Sequence, residues 1–283
     1  MQTLTLGETG EQIPAIGFGG MPLSIQGRPD EEQGRRVLNA AIDAGMTFID
    51  TADVYCLDDS DIGHNERLIA SLGRDDIRVA TKAGLRRPGG AWTSDASPAH
   101  LRQACEQSLR SLRTEQIWLY QLHAPDPKVP FEQSVEAFAA LQREGKFQHF
   151  GLSNVSVKQI EQASAILPVV SVQNRLNPYF REHLKVAQFC ASRNITFLAY
   201  SPVGGGRLAK KLPQFDVLIE LARKHDRSVH AIVIAWVRSK GATVVPIPAA
   251  RKVEHALDSA RAGQLTLSED DIRAIDETEF DRS

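Results

Sequence analysis

Short apolar strands alternate with amphipathic helices along almost the whole chain, and this alternation restricts the possible fold more than any other feature. No linker or low-complexity tract interrupts the pattern. Strands joined by helices form either a closed (β/α)8 barrel or an open doubly wound parallel sheet. One barrel suits a chain of 283 residues, because such barrels commonly have roughly 250 residues.

The pattern favours the barrel over the open sheet. An open dinucleotide-binding sheet normally carries G-x-G-x-x-G after its first strand, whereas here Gly17-Phe18-Gly19-Gly20-Met21-Pro22 has proline at the last glycine position. A tight turn explains Gly19-Gly20 equally well. We therefore predict one (β/α)8 TIM barrel domain over residues 1–283, with an N-terminal β-hairpin from residues 4–6 and 12–16. The predicted barrel strands are 16–19, 47–50, 77–82, 117–122, 147–152, 169–172, 195–200 and 243–247.

Helix signals separate these strands. Asp30-Glu31-Glu32-Gln33 resembles a capping box, Ser97-Pro98 combines an N-cap with proline at the first helical position, and Ser156 is a third N-cap. Further helices are predicted at 66–72, 131–143, 182–193, 213–225, 228–238, 253–262 and 268–276.

Composition argues against several classes of protein. The 33 basic and 35 acidic residues are mixed without a basic run, so nucleic acid is not an expected partner. The start of the chain lacks secretory features, and no apolar run approaches the ~20 residues of a membrane span. Cys56, Cys105 and Cys190 show neither metal nor disulfide spacing, which fits a reducing cytoplasm. We expect inert thiols, although Cys56 beside Tyr55 could sense oxidants.

Ionisable side chains follow three of the predicted strands. Asp50, Lys82 and His123 stand at strand ends, and Tyr55 follows Asp50 by five residues. The carboxyl ends of barrel strands converge on one face, where active sites are found. An ammonium group can promote ionisation of a tyrosine, a carboxylate can hold that ammonium, and a histidine can orient a carbonyl oxygen. Each residue alone has an ordinary structural explanation, and the combination is what points to a proton-donating site.

The chain resembles the aldo-keto reductases over nearly its whole length. The matching segments are the N-terminal hairpin, Gly17-Phe18-Gly19, Asp50-Thr51-Ala52 with Tyr55, Gly63-His64-Asn65-Glu66, Thr81-Lys82, Leu122-His123-Ala124-Pro125-Asp126, Gly145-Lys146, Gly151-Leu152-Ser153-Asn154, Val172-Gln173-Asn174 and Tyr200-Ser201-Pro202. This resemblance implies a TIM barrel that binds NADP(H) in extended form and reduces carbonyls to alcohols. It also implies that Tyr55 donates the proton, that Lys82 and Asp50 adjust the acidity of Tyr55, and that His123 orients the substrate.

The resemblance also assigns cofactor positions. Ser153, Asn154 and Gln173 would bind the nicotinamide carboxamide, and Tyr200 would stack on its ring. The remaining positions are Gly20, Met21 and Asp50, then Ser201, Pro202, Gly204 and Arg207 near the pyrophosphate, then Ile247, Pro248, Ala249, Arg251, His255 and Asp258 toward the adenosine end. The glycines at 204–206 suit close approach to phosphate and would equally suit a hinge.

Three departures from the family pattern fall at the adenosine end. Ala249 replaces the common glycine or lysine, His255 replaces an arginine, and Asp258-Ser259 replaces Glu-Asn. Arg251 could hold a 2′-phosphate, with Lys252 as a second candidate. We expect NADP(H) to be preferred, with NAD(H) as a possible cofactor.

The substrate is expected to be a small-molecule carbonyl compound. Residues 86–96, including Trp92, are predicted to form a pocket wall, Trp118 to lie in the pocket or the core, and Trp236 in the core. A short tail after the last helix implies an open pocket for small or varied aldehydes. Two alternatives remain open, a non-catalytic NADP(H)-binding regulatory subunit and an aldolase with Lys82 as Schiff-base nucleophile. We expect a monomer or small homo-oligomer.

Overall fold

The structure is a computed structural model that describes residues 1–282, and it contains the predicted barrel. Ser283, the end of the predicted tail, lies outside the described residues. The strands are β1 (Thr3–Thr5), β2 (Gln12–Pro14), β3 (Phe18–Gly19), β4 (Phe48–Asp50), β5 (Arg78–Ala83), β6 (Leu85–Arg86), β7 (Thr93–Ser94), β8 (Ile117–Leu122), β9 (Phe147–Ser153), β10 (Val169–Arg175), β11 (Thr196–Tyr200) and β12 (Val244–Ile247). Eight of them pair in parallel in the order β3-β4-β5-β8-β9-β10-β11-β12.

The two ends of this sheet meet and close the ring. The Gly17 amide donates to the carbonyl of Pro246 (3.0 Å), and the Gly19 amide donates to the carbonyl of Pro248 (2.8 Å). Closure leaves the barrel without an exposed edge strand. Every strand's carboxyl end therefore points to the same rim.

Helices surround the barrel and bury their apolar sides against it. They are α1 (Glu31–Asp43), α2 (His64–Ala70), α3 (Pro98–Leu112), α4 (Phe131–Arg143), α5 (Val157–Ser164), α6 (Leu184–Ser192), α7 (Gly206–Lys211), α8 (Asp216–His225), α9 (Val229–Arg238), α10 (Val253–Arg261) and α11 (Glu269–Glu277). The N-caps predicted at Ser97 and Ser156 are present, and Ser156 forms a full capping box with Gln159. No helix within residues 1–282 is both long and apolar enough to cross a membrane.

Asp30 caps α1 as predicted, but the capping box is only half formed. Its carboxylate accepts a hydrogen bond from the Gln33 amide (2.7 Å). The Gln33 side chain donates instead to the carbonyl of Arg251 (3.3 Å). This contact links the start of α1 to the segment after β12.

The antiparallel hairpin of β1 and β2 covers the amino-terminal end of the barrel. Leu6 and Ile13 are buried among inward-facing strand residues such as Phe48 and Leu119. The Gly7 amide donates to Thr196 Oγ1 (2.9 Å) at the start of β11. The hairpin closes the end of the barrel opposite the rim where Asp50, Lys82 and His123 lie.

Two local expectations differ from the structure. The helix predicted at 213–225 is preceded by α7 and a 3₁₀ turn at Leu212–Gln214, and α8 begins only at Asp216. Proline lacks the amide hydrogen needed inside a helix, which explains the break at Pro213. The predicted wall at 86–96 contains the small hairpin of β6 and β7, with Gly89 and Gly90 at positive φ between the strands.

Two tryptophans were placed by sequence in or near the core. Trp236 is fully buried, as predicted. Trp118 lies near the amino end of β8, where it packs against Phe48 and His149 and donates to Glu11 Oε2 (2.8 Å). Of the two positions proposed for Trp118, the structure selects the core at the hairpin end. All three cysteines are free and buried.

Candidate active site

Asp50, Tyr55, Lys82 and His123 meet at the carboxyl rim of the barrel, as predicted. Asp50 ends β4, Lys82 lies near the end of β5, His123 follows β8, and Tyr55 sits in the loop after β4. All four side chains are buried, with residue exposures of 2%, 6%, 0% and 8% for Asp50, Tyr55, Lys82 and His123. Convergence of parallel strands explains how residues up to 73 positions apart form one cluster.

The Lys82 ammonium is the centre of this cluster. Its Nζ donates to Asp50 Oδ2 (2.8 Å), to the carbonyl oxygen of Thr51 (2.8 Å) and to the Tyr55 hydroxyl oxygen (2.9 Å). An ammonium has three N–H donors and no acceptor, so these contacts use all of them. The Tyr55 oxygen must accept from Lys82, and its own hydrogen remains free to donate to another group.

The buried side-chain amides of Gln173 and Gln121 contact Oδ1 of Asp50, the carboxylate oxygen that does not bond to Lys82. Gln173 Nε2 donates to Asp50 Oδ1 at 2.6 Å, and Gln121 Nε2 lies 3.5 Å from the same oxygen. Sequence reasoning missed Gln121. The sequence did contain a signal for it, because Gln121 is the one amide in strand β8, whose other residues are apolar or aromatic. A buried polar group needs a partner, so Gln121 points toward another polar group inside the barrel.

Gly151 makes room for this arrangement. A Cβ atom at this position would lie 2.4 Å from Ser171 Oγ and 2.9 Å from Gln121 Cγ. Both distances are well below van der Waals contact, so a larger residue would displace the amide that supports Asp50.

Burial shapes the pKa values of the cluster. The pKa of Tyr55 is well above its usual value because the hydroxyl is buried, and the charge of Asp50 acts in the same direction. Burial lowers the pKa of Lys82, while Asp50 opposes that shift. The raised Tyr55 pKa is opposite to what the ammonium alone predicts, because burial, and then the charge of Asp50, favour the protonated hydroxyl. The cluster therefore keeps Tyr55 protonated at neutral pH.

His123 packs beside Tyr55 as a neutral ring. The ring centroids are 5.8 Å apart with an interplanar angle of 81°. Burial, and then the charge of Lys82, hold the pKa of His123 well below its usual value. A neutral imidazole has one donor and one acceptor nitrogen, so His123 can donate to a carbonyl oxygen without carrying charge.

The residues assigned to the nicotinamide also gather at this rim. Ser153 ends β9, Tyr200 ends β11, and Asn154 follows Ser153 with φ of 58°. The Tyr200 hydroxyl donates to Asn154 Oδ1 (2.8 Å), while Asn154 Nδ2 donates to Ser153 Oγ (3.1 Å) and the carbonyl of His123 (2.9 Å). The structure thus places the predicted carboxamide-binding groups directly beside the predicted catalytic ones.

Gly20 and Asn65 form the neighbouring wall. A Cβ atom on Gly20 would lie 2.3 Å from Asn65 Oδ1, so this position requires glycine. Asn65 Nδ2 donates to the carbonyl of Gly20 (2.9 Å), and Asn65 Oδ1 accepts from the Thr51 hydroxyl (2.6 Å). The segment Gly63-His64-Asn65-Glu66 therefore fixes the loop that begins with Gly20 and Met21. This supporting role of Asn65 was not predicted.

Comparison with known proteins identifies the family. The model of the aldo/keto reductase family matches residues 15–279. The chain belongs to the aldo/keto reductase family. It is therefore an NAD(P)H-dependent oxidoreductase.

Individual aldo/keto reductase relatives cover almost all of the chain. An uncharacterized oxidoreductase of Schizosaccharomyces pombe is 35% identical over 94% of this chain and 86% of its own length. A thermostable aldo-keto reductase crystallised with the inhibitor epalrestat is 30% identical, with a TM-score of 0.83 and coverage of 98% and 99%. An aldo/keto reductase from Klebsiella pneumoniae, in complex with NADP and acetate, is 28% identical, with a TM-score of 0.81 and coverage of 97% and 94%.

The segment assigned to the pyrophosphate of an aldo/keto reductase cofactor has an open, strained backbone. Ser201 has φ of 49°, and the glycines at 204, 205 and 206 have φ of 85°, 68° and 43°. Such values favour glycine. Pro202 is buried beneath the segment, and Arg207 Nη2 donates to the carbonyl of Arg282 (2.6 Å). Arg207 thus also tethers the tail.

The residues assigned to the adenosine end are more dispersed. Ile247 and Pro248 are buried at the end of β12, whereas Ala249 and His255 are exposed. Asp258 Oδ2 accepts a hydrogen bond from Ser228 Oγ (2.5 Å), the N-cap of α9. In this structure Asp258 supports a helix start, as well as lying at a position assigned to adenine.

Arg251 is exposed and contacts the loop that follows β3. Its Nε donates to the carbonyl of Pro22 (3.1 Å), and its Nη2 donates to the carbonyl of Gln26 (3.0 Å). A guanidinium has five N–H donors, so three are left for a phosphate. Trp92, assigned to the substrate pocket, is 47% exposed and lies over the Arg87 guanidinium at 4.0 Å.

Proposed function

We propose that this aldo/keto reductase uses NADPH to reduce aldehydes or ketones to alcohols, with Tyr55 as the proton donor. The observation that carries the proposal is the placement of Lys82 Nζ, which bonds at once to Asp50 and to the Tyr55 oxygen. This arrangement leaves the Tyr55 hydrogen free to donate. It also provides a fixed positive charge beside the oxygen that must release a proton.

The rim has groups that suit a nicotinamide. A carboxamide needs both hydrogen-bond donors and acceptors, and the side chains of Ser153, Asn154 and Gln173 supply both. The positive φ values at 204–206 suit a pyrophosphate. When bound, the cofactor supplies the hydride. The Klebsiella pneumoniae relative in complex with NADP supports this choice of cofactor.

The phosphorylated cofactor is favoured over NADH by Arg251. Its guanidinium is exposed, has donors to spare and suits the charge and geometry of a phosphate. Lys252, the next residue, would add positive charge. NADH is expected to bind more weakly, since it lacks the 2′-phosphate.

The proton transfer follows from the hydrogen-bond network. The substrate carbonyl oxygen would take the free hydrogen of Tyr55. The neutral His123 ring orients that oxygen by donating a hydrogen bond. Lys82 stabilises the tyrosinate that forms, because its N–H already points at the Tyr55 oxygen. General acid catalysis of this kind contributes roughly 10²–10⁴-fold to a rate.

Small or varied aldehydes remain the proposed substrates. Efficient turnover of bulky steroids with poor turnover of all small aldehydes would contradict this.

Replacement of Tyr55 by phenylalanine tests the proposal. We expect the native protein to oxidise NADPH in the presence of an aldehyde panel, measured at the nicotinamide absorbance band. Y55F should still bind NADPH in a fluorescence titration, yet lose roughly 10²–10⁴-fold in kcat/KM. NADPH binding without turnover by the native protein would favour the regulatory alternative. Borohydride trapping of a substrate on Lys82, without nucleotide binding, would favour the aldolase.

A further inference from the structure

The guanidinium of Arg87 is buried, yet it is hydrogen-bonded at one nitrogen only. The residue is 1% exposed. Its Nη2 donates to the carbonyl of Leu57 (3.0 Å), to Gln26 Oε1 (3.1 Å) and to the carbonyl of Cys56 (3.3 Å). Among residues 1–282, no hydrogen-bond partner reaches Nε or Nη1, and no carboxylate forms an ion pair with Arg87.

Such a charge is unusual inside a protein. Buried charged groups are normally paired, and buried N–H groups normally have acceptors, because desolvation without a partner is unfavourable. The ordinary explanation is that Arg87 only ties the loops after β3 and β4 together. Nη2 alone makes these contacts. The burial of Nε and Nη1 without hydrogen-bond partners is therefore not explained by this role.

A cavity of about 470 Å³ adjoins Arg87, between the loop after β4, the hairpin of β6 and β7, and α3. This volume is within the range for small-molecule sites. Its basic lining residues are Arg86, Arg87, His100 and Arg110, and its acidic ones are Asp53 and Asp59. The lining contains none of the four proposed catalytic residues, so the cavity is separate from the reacting atoms.

The charges around the cavity favour an anion. Arg86 is paired with Asp95 (2.9 Å), and Asp59 Oδ1 accepts from the Gly89 amide (3.2 Å). Burial, and then the charge of Glu66, raise the pKa of Asp53 well above its usual value, which favours its neutral form. Arg87 and Arg110 line the cavity and form no ion pair among residues 1–282, and the carboxylate of Asp58, which does not line the cavity, interacts with Arg87 only at longer range.

Trp92 covers the guanidinium and can leave it. The Arg87 Cζ lies 4.0 Å from the centroid of the indole, a cation–π contact. Trp92 is 47% exposed, so the indole is not held in the core. The unpaired nitrogens of Arg87 are themselves buried and Trp92 does not line the cavity, so an occupant would reach them only once the indole has turned aside.

We propose that this cavity is a binding site for a small oxyanion, a carboxylate or a phosphate, with Arg87 as its main contact and Trp92 as a displaceable cover. Charge-assisted hydrogen bonds from Nε and Nη1 would replace the cation–π contact. Asp53 and Val54, which line the cavity, belong to the loop that carries Tyr55. The occupant would thus lie behind the proposed catalytic loop and not on the carbonyl substrate.

Binding can be measured without any enzymatic assay. The purified protein is titrated with sodium succinate or with inorganic phosphate at constant ionic strength, with sodium chloride as the control. Trp236 is buried and Trp118 half-buried, so displacement of Trp92 should shift the tryptophan emission saturably. A response to only one of the two anions identifies the source of the oxyanion. No saturable response to either anion would overturn the proposal.

Variants assign the response to Arg87. R87M should weaken binding about tenfold or more, whereas the matched control R102Q, an exposed arginine of α3 paired with Glu144 outside the cavity, should bind normally. W92A removes the cover and should bind more tightly, as followed by anion-dependent thermal stabilisation. If R87M fails to fold, the anion affinities of R87K and W92A are compared with that of the native protein instead. Unchanged affinity in both the Arg87 variant and W92A would contradict the site.

Discussion

At the scale of single residues, the position of Lys82 decides what Tyr55 can do. An ammonium can only donate, so the Tyr55 oxygen accepts from Lys82 and turns its own hydrogen toward the rim. The sequence suggested that these side chains share a face. Only the distances show that Lys82 bonds to Asp50 and Tyr55 at once, which makes the tyrosine a directed donor.

The same geometry predicts how activity depends on pH. Tyr55 has a raised pKa and must be protonated to donate, so reduction should fall only above its ordinary value of about 10. His123 has a lowered pKa, so its neutral form persists below about pH 6.5. We expect kcat/KM for NADPH-dependent reduction to be nearly flat between about pH 6.5 and 9.

Steady-state rates across this range, with a non-ionisable aldehyde, check this expectation. Stability must be confirmed at each pH by circular dichroism, so that unfolding is not mistaken for titration. An inflection near neutral pH that persists with a second aldehyde would contradict this expectation, because it would show that Tyr55 or His123 changes its protonation state within this range.

At the scale of elements, the long periodic segments were predictable, whereas β6, β7 and α7 were not. Helix α4 matches its predicted bounds at 131–143, because an apolar stripe and a stop at Gly145 define it. Strands β6 and β7 have two residues each, which is too short for any alternation to show. Helix α7 begins at the last of three consecutive glycines, a local sequence that favours no helix, and α7 is followed by a 3₁₀ turn at Pro213.

The junction of α8 and α11 is an element-scale contact with a measurable contribution to stability. The Asp271 carboxylate accepts from Lys224 Nζ (2.6 Å) and forms a 2.8 Å contact with His225 Nε2. Although burial pushes the Asp271 pKa up, these hydrogen bonds hold it below its usual value. D271N should lower the free energy of unfolding by about 1.5–3 kcal/mol at pH 7.

The sign of the pH effect follows from that lowered pKa. Asp271 stabilises the fold above its unfolded-state pKa of about 3.9, and this contribution is lost as the pH falls toward the native value. Chemical denaturation should therefore show a difference between D271N and the native protein that shrinks below about pH 4. D270N, an exposed neighbour, should change stability by about 0.5 kcal/mol or less. Equal effects of both variants would refute the argument.

At the scale of the whole molecule, barrel closure is what assembles the site. The bonds from Gly17 and Gly19 to the residues around β12 bring the segment with Arg251 beside the loop after β3. The chain thus joins its first and last strands at the place where the adenosine end of the cofactor is proposed to bind. Cofactor binding should consequently stabilise the entire fold.

Thermal unfolding tests this coupling and the preference for NADPH together. A ligand at 100 times its Kd stabilises the folded state by about 2.7 kcal/mol, so NADPH should raise Tm and NADH at the same concentration should raise it less. R251M should reduce the NADPH shift to that of NADH. K252M, which removes a charge paired with Glu254, should reduce it less. Each shift is compared with the same variant without ligand, because R251M also loses two contacts to the loop. Equal shifts for both cofactors would contradict the preference.

Local sequence was sufficient for the barrel, most of its helices and the identity of the four clustered side chains. Strand and helix periods, N-caps and polar strand ends are all encoded within a few neighbouring residues. The tertiary structure decided what depends on residues distant in the chain: the support of Asp50 by Gln121 and Gln173, the use of Arg251 and Asp258 in holding loops and caps, and the core position of Trp118. Such contacts depend on strand register and on the free energy of burying each polar group, which no local window of sequence contains.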